Sequence, residues 1–164
     1  MFSLSLRAIA RRHSSLLFLL LIVAAAAGLR LYGINWDQGF GANPHPDERH
    51  LAYTMGRISL PAQGEWGALL DPETSPLNPR RVNPADGQRY DLAYGTLPIY
   101  VYRAVAGILE KAVSPVYGDL DGFFLVGRSV TVVFSLVTVL VVWALGRQVF
   151  GERVVFVHDQ DACR

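Results

Sequence analysis

Two apolar runs flanking a polar stretch from Asn35 to Gly122 set the pattern of this chain. The first, Ser14 to Ile34, is apolar apart from its two leading serines and Arg30. As a helix rising 1.5 Å per residue it would be about 31 Å long, the thickness of a bilayer's hydrocarbon core. The second runs from Phe123 to Arg147, and within it Ser129 to Gly146 is 18 residues without a charge, bounded by Arg128 and Arg147. Its richness in Val and Phe raises the alternative of a buried strand, but strands run to roughly three to ten residues, so the pattern predicts a helix. Both segments therefore read as transmembrane helices.

What surrounds the spans orients them. Arg7, Arg11 and Arg12 precede the first with no acid among them, and Tyr32 and Trp36 follow it at the level of an interfacial aromatic belt. This predicts a cytoplasmic N-terminus (residues 1–13). A cleaved signal peptide is the rival reading, since a basic start, an apolar run and Ala24 to Ala27 supply its three parts; the apolar character continues past the alanines through Leu29, Leu31 and Ile34. On either reading residues 35–122 form an exported loop.

A third apolar stretch, Leu92 to Val113, carries Arg103 near its middle and Glu110 and Lys111 beyond it. An arginine at the bilayer centre costs about 2.5–3.5 kcal/mol, and the charge-free runs on either side are too short to span. With the three charges read as sharing one helical face, the expectation is an amphipathic helix over 97–112 lying at the interface, with Pro98 in its first turn and Tyr94, Tyr100 and Tyr102 at headgroup level. Two spans also leave the basic N-terminus and the Arg147/Arg153 end on the same, cytoplasmic side, as the positive-inside rule prefers, whereas three would separate them. The expected fold is thus an all-α, multi-pass protein of the cell (inner) membrane, with interfacial helices near 46–60 and 97–112 and a cytoplasmic end over 148–164.

Composition agrees with burial in lipid: 51% of residues are hydrophobic. The 15 basic and 14 acidic residues include no basic block of the kind that binds nucleic acid. Cys163 is the only cysteine, which excludes an intrachain disulfide and a cysteine-based metal cage. From Asn35 to Leu92 the acids Asp37, Asp47, Glu48, Glu65, Asp71, Glu73, Asp86 and Asp91 face five arginines, so this stretch is mildly acidic. Recurrent Pro, Gly and Asn from Pro61 to Gly87 mark irregular loop.

The densest polar cluster is Asn43-Pro44-His45-Pro46-Asp47-Glu48-Arg49-His50. Pro46 suits the first position of a helix, Asp47 and Glu48 suit its positive end, and Pro61 stops it. Leu51, Met55 and Ile58 then form an apolar stripe with Asp47 at its head, which would turn that carboxylate toward the membrane surface. Asp47 and Glu48 are candidate catalytic groups, as a general base at the lipid–water boundary, against the plainer role of complementing the helix dipole. His45, Asp47, Glu48 and His50 also invite comparison with a divalent-cation site, but three of them crowd one turn and the spacing matches no closed site. His45 and His50 are otherwise substrate-binding candidates or simple capping groups. Arg80, Arg81 and Arg89 are candidates for an anionic lipid phosphate, the alternative being pairing with Asp86 and Asp91.

In order along the chain, a first span, HPDERH, a loop ending in YGTLPIYVYR, and GRSVTVVFSLVTVLVVWALGRQVFG resemble the start of bacterial glycosyltransferases that use a phospholipid-carrier sugar donor, relatives of the protein mannosyltransferase and aminoarabinose transferase group of GT-C type membrane enzymes. The resemblance covers about Leu16 to Glu152. It implies that the first exported loop supplies an acid that activates the acceptor, Asp47 in this chain with Glu48 as its neighbour, while a polyprenyl-phosphate carries the sugar and leaves with inversion at the sugar carbon. Its partners would be membrane lipid and that donor. Enzymes of this kind are much longer, so the stretch from Val154 to Arg164 reads as a truncated continuation, and the piece alone would be inactive. The competing reading is a small non-enzymatic membrane protein whose exported loop is a binding or assembly surface.

Overall fold

A computed structural model describes the backbone of residues 2–37, 45–61, 63–82, 87, 89, 92 and 95–151, and within these the side chains from residue 14 onward. The sequence features at Asn43, Pro44, Asp86, Asp91, Tyr94, Arg153 and residues 154–164 lie outside the described residues, as do the side chains of Arg7, Arg11 and Arg12. Among the described residues every regular element is helical: α1 (Phe2–Leu31), α2 (Pro46–Arg57), α3 (Thr96–Ala112) and α4 (Leu120–Phe150), with 3₁₀ turns at Trp66–Leu70 and Pro115–Gly118. Contacts divide the chain into two units, one of residues 1–33 with 131–164 and the other of residues 34–130.

The first unit holds α1 and most of α4. Ala24 to Ala27 favour helix, and α1 ends where Gly33 takes a left-handed φ of 67° that only glycine adopts without strain. Arg30 Nη1 donates to the Ala26 carbonyl at 3.2 Å, placing a cation at the helix's negative end. On α4 the Thr138 hydroxyl donates to the Phe134 carbonyl at 2.9 Å, so the hydroxyl is satisfied within the helix. Toward the end of α4 the Arg147 guanidinium lies 4.9 Å from the Trp143 ring centre. Leu17, Leu20 and Leu21 of α1 and Val133, Phe134 and Val142 of α4 are exposed, and these two are helices long and apolar enough, by length and composition, to cross a membrane. Each exceeds its predicted span: α1 is helical from Phe2, and α4 begins three residues early because the Asp119 carbonyl accepts from Phe123 N.

The second unit has its own core. Ala52 and Met55 from α2 and Ile58 just past its end meet Ile99 and Ala106 from α3 and Phe123, Phe124 and Val126 from the start of α4. Met55 and Ile99, at 1% and 0% exposure, each contribute about 1.5–3 kcal/mol by leaving water. The apolar stripe predicted on α2 is therefore turned into protein.

Where α2 stops, its last carbonyls need donors. Arg81 Nη2 donates to the Arg57 carbonyl at 2.9 Å, Arg57 Nη2 returns a bond to the Arg81 carbonyl, and Arg103 Nε donates to the Ile58 carbonyl at 3.0 Å. Cations at this negative helix end are favourable as well as satisfying. The demand turns Arg103 inward, over the Phe123 ring at 5.5 Å and 3.7 Å from Glu110, while Lys111 stays exposed. The expected common face of three charges is thus divided.

The Pro-rich stretch after α2 is irregular, as its sequence indicates, yet anchored. Ser59 N donates to the Pro76 carbonyl and the Tyr100 hydroxyl to the Leu77 carbonyl, at 3.1 and 2.9 Å. Within it Asp71 accepts from Glu73 N and from the Thr74 hydroxyl, which hold its carboxyl below the usual carboxylate range.

The junction between the 3₁₀ turn at Pro115–Gly118 and α4 is the tightest backbone approach. A Cβ on Gly122 would strike the Val116 carbonyl oxygen and come within 2.6 Å of Tyr117 Cα, both backbone atoms that cannot swing aside. Gly122→Ala should therefore lower stability by about 1–3 kcal/mol or more. Thermal unfolding of the purified protein measures this, and a variant that melts with wild type would refute the close packing.

Candidate functional site

Pro46, lacking an N–H and with φ pre-set, opens α2, and His45 takes the capping position without a side-chain hydrogen bond. Asp47 and Glu48 occupy the first turn, where the helix dipole favours negative charge. They leave it in different directions. Glu48 is seven residues before Met55, two helical turns along the same inward row, whereas Asp47 is exposed.

Glu48 meets an arginine. Arg128, two turns into α4, donates from Nη2 to Glu48 Oε2 at 2.6 Å and from Nε to both Glu48 oxygens at 3.2 and 3.3 Å. The same guanidinium grips Asp37 with two parallel bonds, Nη1 to Oδ1 at 2.6 Å and Nη2 to Oδ2 at 2.7 Å, and Nη1 also donates to the Ile34 carbonyl at 2.7 Å. All five N–H groups of the planar fork have acceptors in this arrangement. Its face lies 5.9 Å from the Phe124 ring centre. Asp37 is 4% exposed, and its hydrogen bonds from Arg128 hold its carboxyl below the ordinary carboxylate range against the opposing effect of burial. Two carboxylates and one guanidinium leave the cluster one negative charge in excess.

Asp47 stands outside this network, with no ion pair or hydrogen bond from its side chain among the described residues. Two adjacent acids are thereby given different work: one is committed to an arginine, the other is open to an incoming group. His45 is exposed beside Asp47, and His50 is half-buried with its carbonyl accepting from the Thr54 hydroxyl at 2.7 Å. Among the described residues no three His, Cys, Asp or Glu side chains gather in a way that would hold a metal ion.

The three loop arginines are not brought together with Asp47 or Glu48 by any ion pair or hydrogen bond among the described residues. Arg80 is exposed, and only its backbone N–H is engaged, with Asn78 Oδ1 at 2.8 Å. Arg81 closes the end of α2. Arg89 lies 4.0 Å from Glu73, both largely exposed; the alternative partners Asp86 and Asp91 lie outside the described residues.

Asp37 and Arg128 are the members that sequence reasoning missed as a site. Asp37 reads as one of several loop acids and Arg128 as the boundary charge of a span; the two are 91 positions apart. The available signal is Arg128 itself, since an arginine five residues past the predicted start of an apolar helix needs an acidic or carbonyl partner. Compared with protein-family models, curated proteins and solved structures, the chain matches none.

The cluster has a pH signature. Because the Asp37 pKa is depressed in the folded protein, its stabilising effect is complete above the unfolded carboxylate value, about pH 4, and is lost as pH falls through the lowered folded value. The stability difference between wild type and Asp37→Asn should be constant at neutral pH and shrink on acidification below about pH 4. Thermal unfolding of both proteins across that range checks it; parallel curves throughout would contradict the Asp37–Arg128 pairing.

Proposed function

We propose that this chain contributes the acceptor-activating part of a membrane glycosyltransferase that moves a sugar from a polyprenyl-phosphate donor to an acceptor at the outer face of the membrane. The observation that carries the reading is the division of labour between Asp47 and Glu48. Arg128 pairs with Glu48 and fixes the first turn of α2, and Asp47, on the same turn, is left open to solvent. A rigid helix start with one uncommitted carboxylate suits a general base, which must be held within hydrogen-bond reach of the proton it removes.

In the proposed reaction an acceptor hydroxyl or amide attacks the sugar's anomeric carbon while Asp47 takes its proton. The bond from that carbon to the phosphate oxygen breaks, and the lipid phosphate leaves with the electron pair, inverting the carbon. Glu48 acts as a positioning residue. His45, exposed beside Asp47, is assigned to contact acceptor or donor, a role for which the half-buried His50 is the less accessible candidate. Of the arginines, Arg80 has an uncommitted guanidinium for phosphate, and the exposed Arg89–Glu73 pair is of the weak kind that exchanges readily for a phosphate. Arg81 is less available because it serves the end of α2. Two apolar helices flanking this polar unit support the membrane setting, in which a lipid-linked phosphate is presented at the boundary.

The test measures sugar transfer from a polyprenyl-phosphate donor in membranes carrying the complete protein. Asp47→Asn should reduce kcat by about 10²–10⁴-fold with little change in folding, as expected for loss of a general base. Glu48→Gln should instead lower thermal stability, with a smaller effect on kcat. Near wild-type transfer by Asp47→Asn would sink the reading.

A further inference from the structure

The segment that follows α2 is ordered, yet its apolar side chains are turned outward. It is tied down on both sides of the 3₁₀ turn Trp66–Leu70: Ser59 N donates to the Pro76 carbonyl at 3.1 Å, Ser75 N to the Asp71 carbonyl at 2.9 Å, and Asn78 Nδ2 to the Pro72 carbonyl at 2.6 Å. Ile58 before the turn and Ser75 beyond it are buried, whereas no residue of the turn is. Trp66 is 58% exposed and Leu70 87%, and Leu60, which leads into the turn, is exposed as well. A 3₁₀ turn rises about 2 Å per residue, so Trp66 and Leu70 stand within about 8 Å along its axis and belong to one patch. A lone exposed leucine needs no explanation, but a tryptophan and a leucine held outward on an anchored turn mark a contact surface.

The charges around the patch decide between its possible occupants. Glu65 and Asp71 bracket the turn as its capping residues, and Glu73 follows two positions on; all three are exposed. From Ser59 to Pro79 the chain has no lysine or arginine. The 4.0 Å contact of Glu73 with Arg89 is a solvent-exposed pair of the kind that contributes little. An anionic bilayer surface repels such a rim, and the basic residues that bind headgroups are missing from it. A cationic protein segment is attracted instead: its Lys or Arg side chains can meet the three acids and the face of Trp66, and its apolar side chains can cover Leu60 and Leu70. We infer that the Trp66–Leu70 turn, with Leu60 and the acids Glu65, Asp71 and Glu73, is the docking surface for a basic amphipathic segment of a partner protein. Because hydrogen bonds already hold the turn in place, docking requires little further ordering on this side. The surface uses neither Asp47 nor Glu48, so it stands or falls independently of sugar transfer.

The test places the photo-crosslinking residue p-benzoylphenylalanine at Trp66, at Leu70 and, as a reference, at the exposed Asp119 of the full chain in the cells that make it. Adducts are sequenced by mass spectrometry. Trp66 and Leu70 should give the same adduct, a protein segment carrying several Lys or Arg among apolar residues, which the Asp119 position does not give. A synthetic peptide of that sequence should bind the purified full chain in maltoside micelles, more weakly as salt rises. Trp66→Ser, and Glu65→Lys combined with Glu73→Lys, should each weaken that binding about tenfold or more. Adducts to lipid alone, to a second copy of this chain, to an acidic or neutral segment, or none above the Asp119 reference would overturn the inference, and so would peptide binding that the substitutions leave unchanged. The altered side chains are exposed, and a thermal-unfolding profile matching wild type verifies the fold.

Discussion

One guanidinium organises the polar unit. Arg128 emerges from an apolar helix, where an unpaired cation would be costly, and every N–H it carries is directed at an acceptor on a segment distant in sequence. The Ile34 carbonyl and Asp37 fix the segment after Gly33, and Glu48 fixes the start of α2, both onto the first turns of α4. Removing the arginine would leave Asp37 buried without its counter-ion, a change that costs about 3–5 kcal/mol. The same bonds commit Glu48 to Arg128 and leave its exposed neighbour Asp47 outside the network among the described residues.

A second set of arginines does for the other end of α2 what Asp47 and Glu48 do for its beginning. Arg81 and Arg103 cover carbonyls at Arg57 and Ile58, and drawing Arg103 inward leaves the outer side of α3 apolar. The electrostatic needs of one short helix therefore shape the surface of the next. The apolar core of Met55, Ile99 and Phe123 supplies the packing, while the arginines decide orientation.

The helices were legible because each has local punctuation. Pro46 opens α2, Pro98 sits in the first turn of α3, and the charge-free run from Ser129 to Gly146 exceeds any ordinary strand. The orientation of charged residues was not, because it depends on partners far along the chain. Asp47 reads from the sequence as heading a membrane-facing stripe, yet Leu51, Met55 and Ile58 pack inward, and Glu48 lies within about 20° of Met55 at 100° per residue. That angle was available from the sequence; the acceptor for Arg128 at Asp37 was not. Likewise Arg103 reads as a water-facing charge until the end of α2 is known to need it.

The most direct measurement is a double-mutant cycle on thermal stability with Arg128→Met, Asp37→Leu and the two combined. If the ion pair organises the unit, Arg128→Met strands the buried Asp37, whereas in the double variant that charge is gone and only the more exposed Glu48 loses its partner, so the losses are non-additive by about 0.5–3 kcal/mol or more. Additive losses would show that Arg128 and Asp37 act independently, and would contradict the role assigned to them.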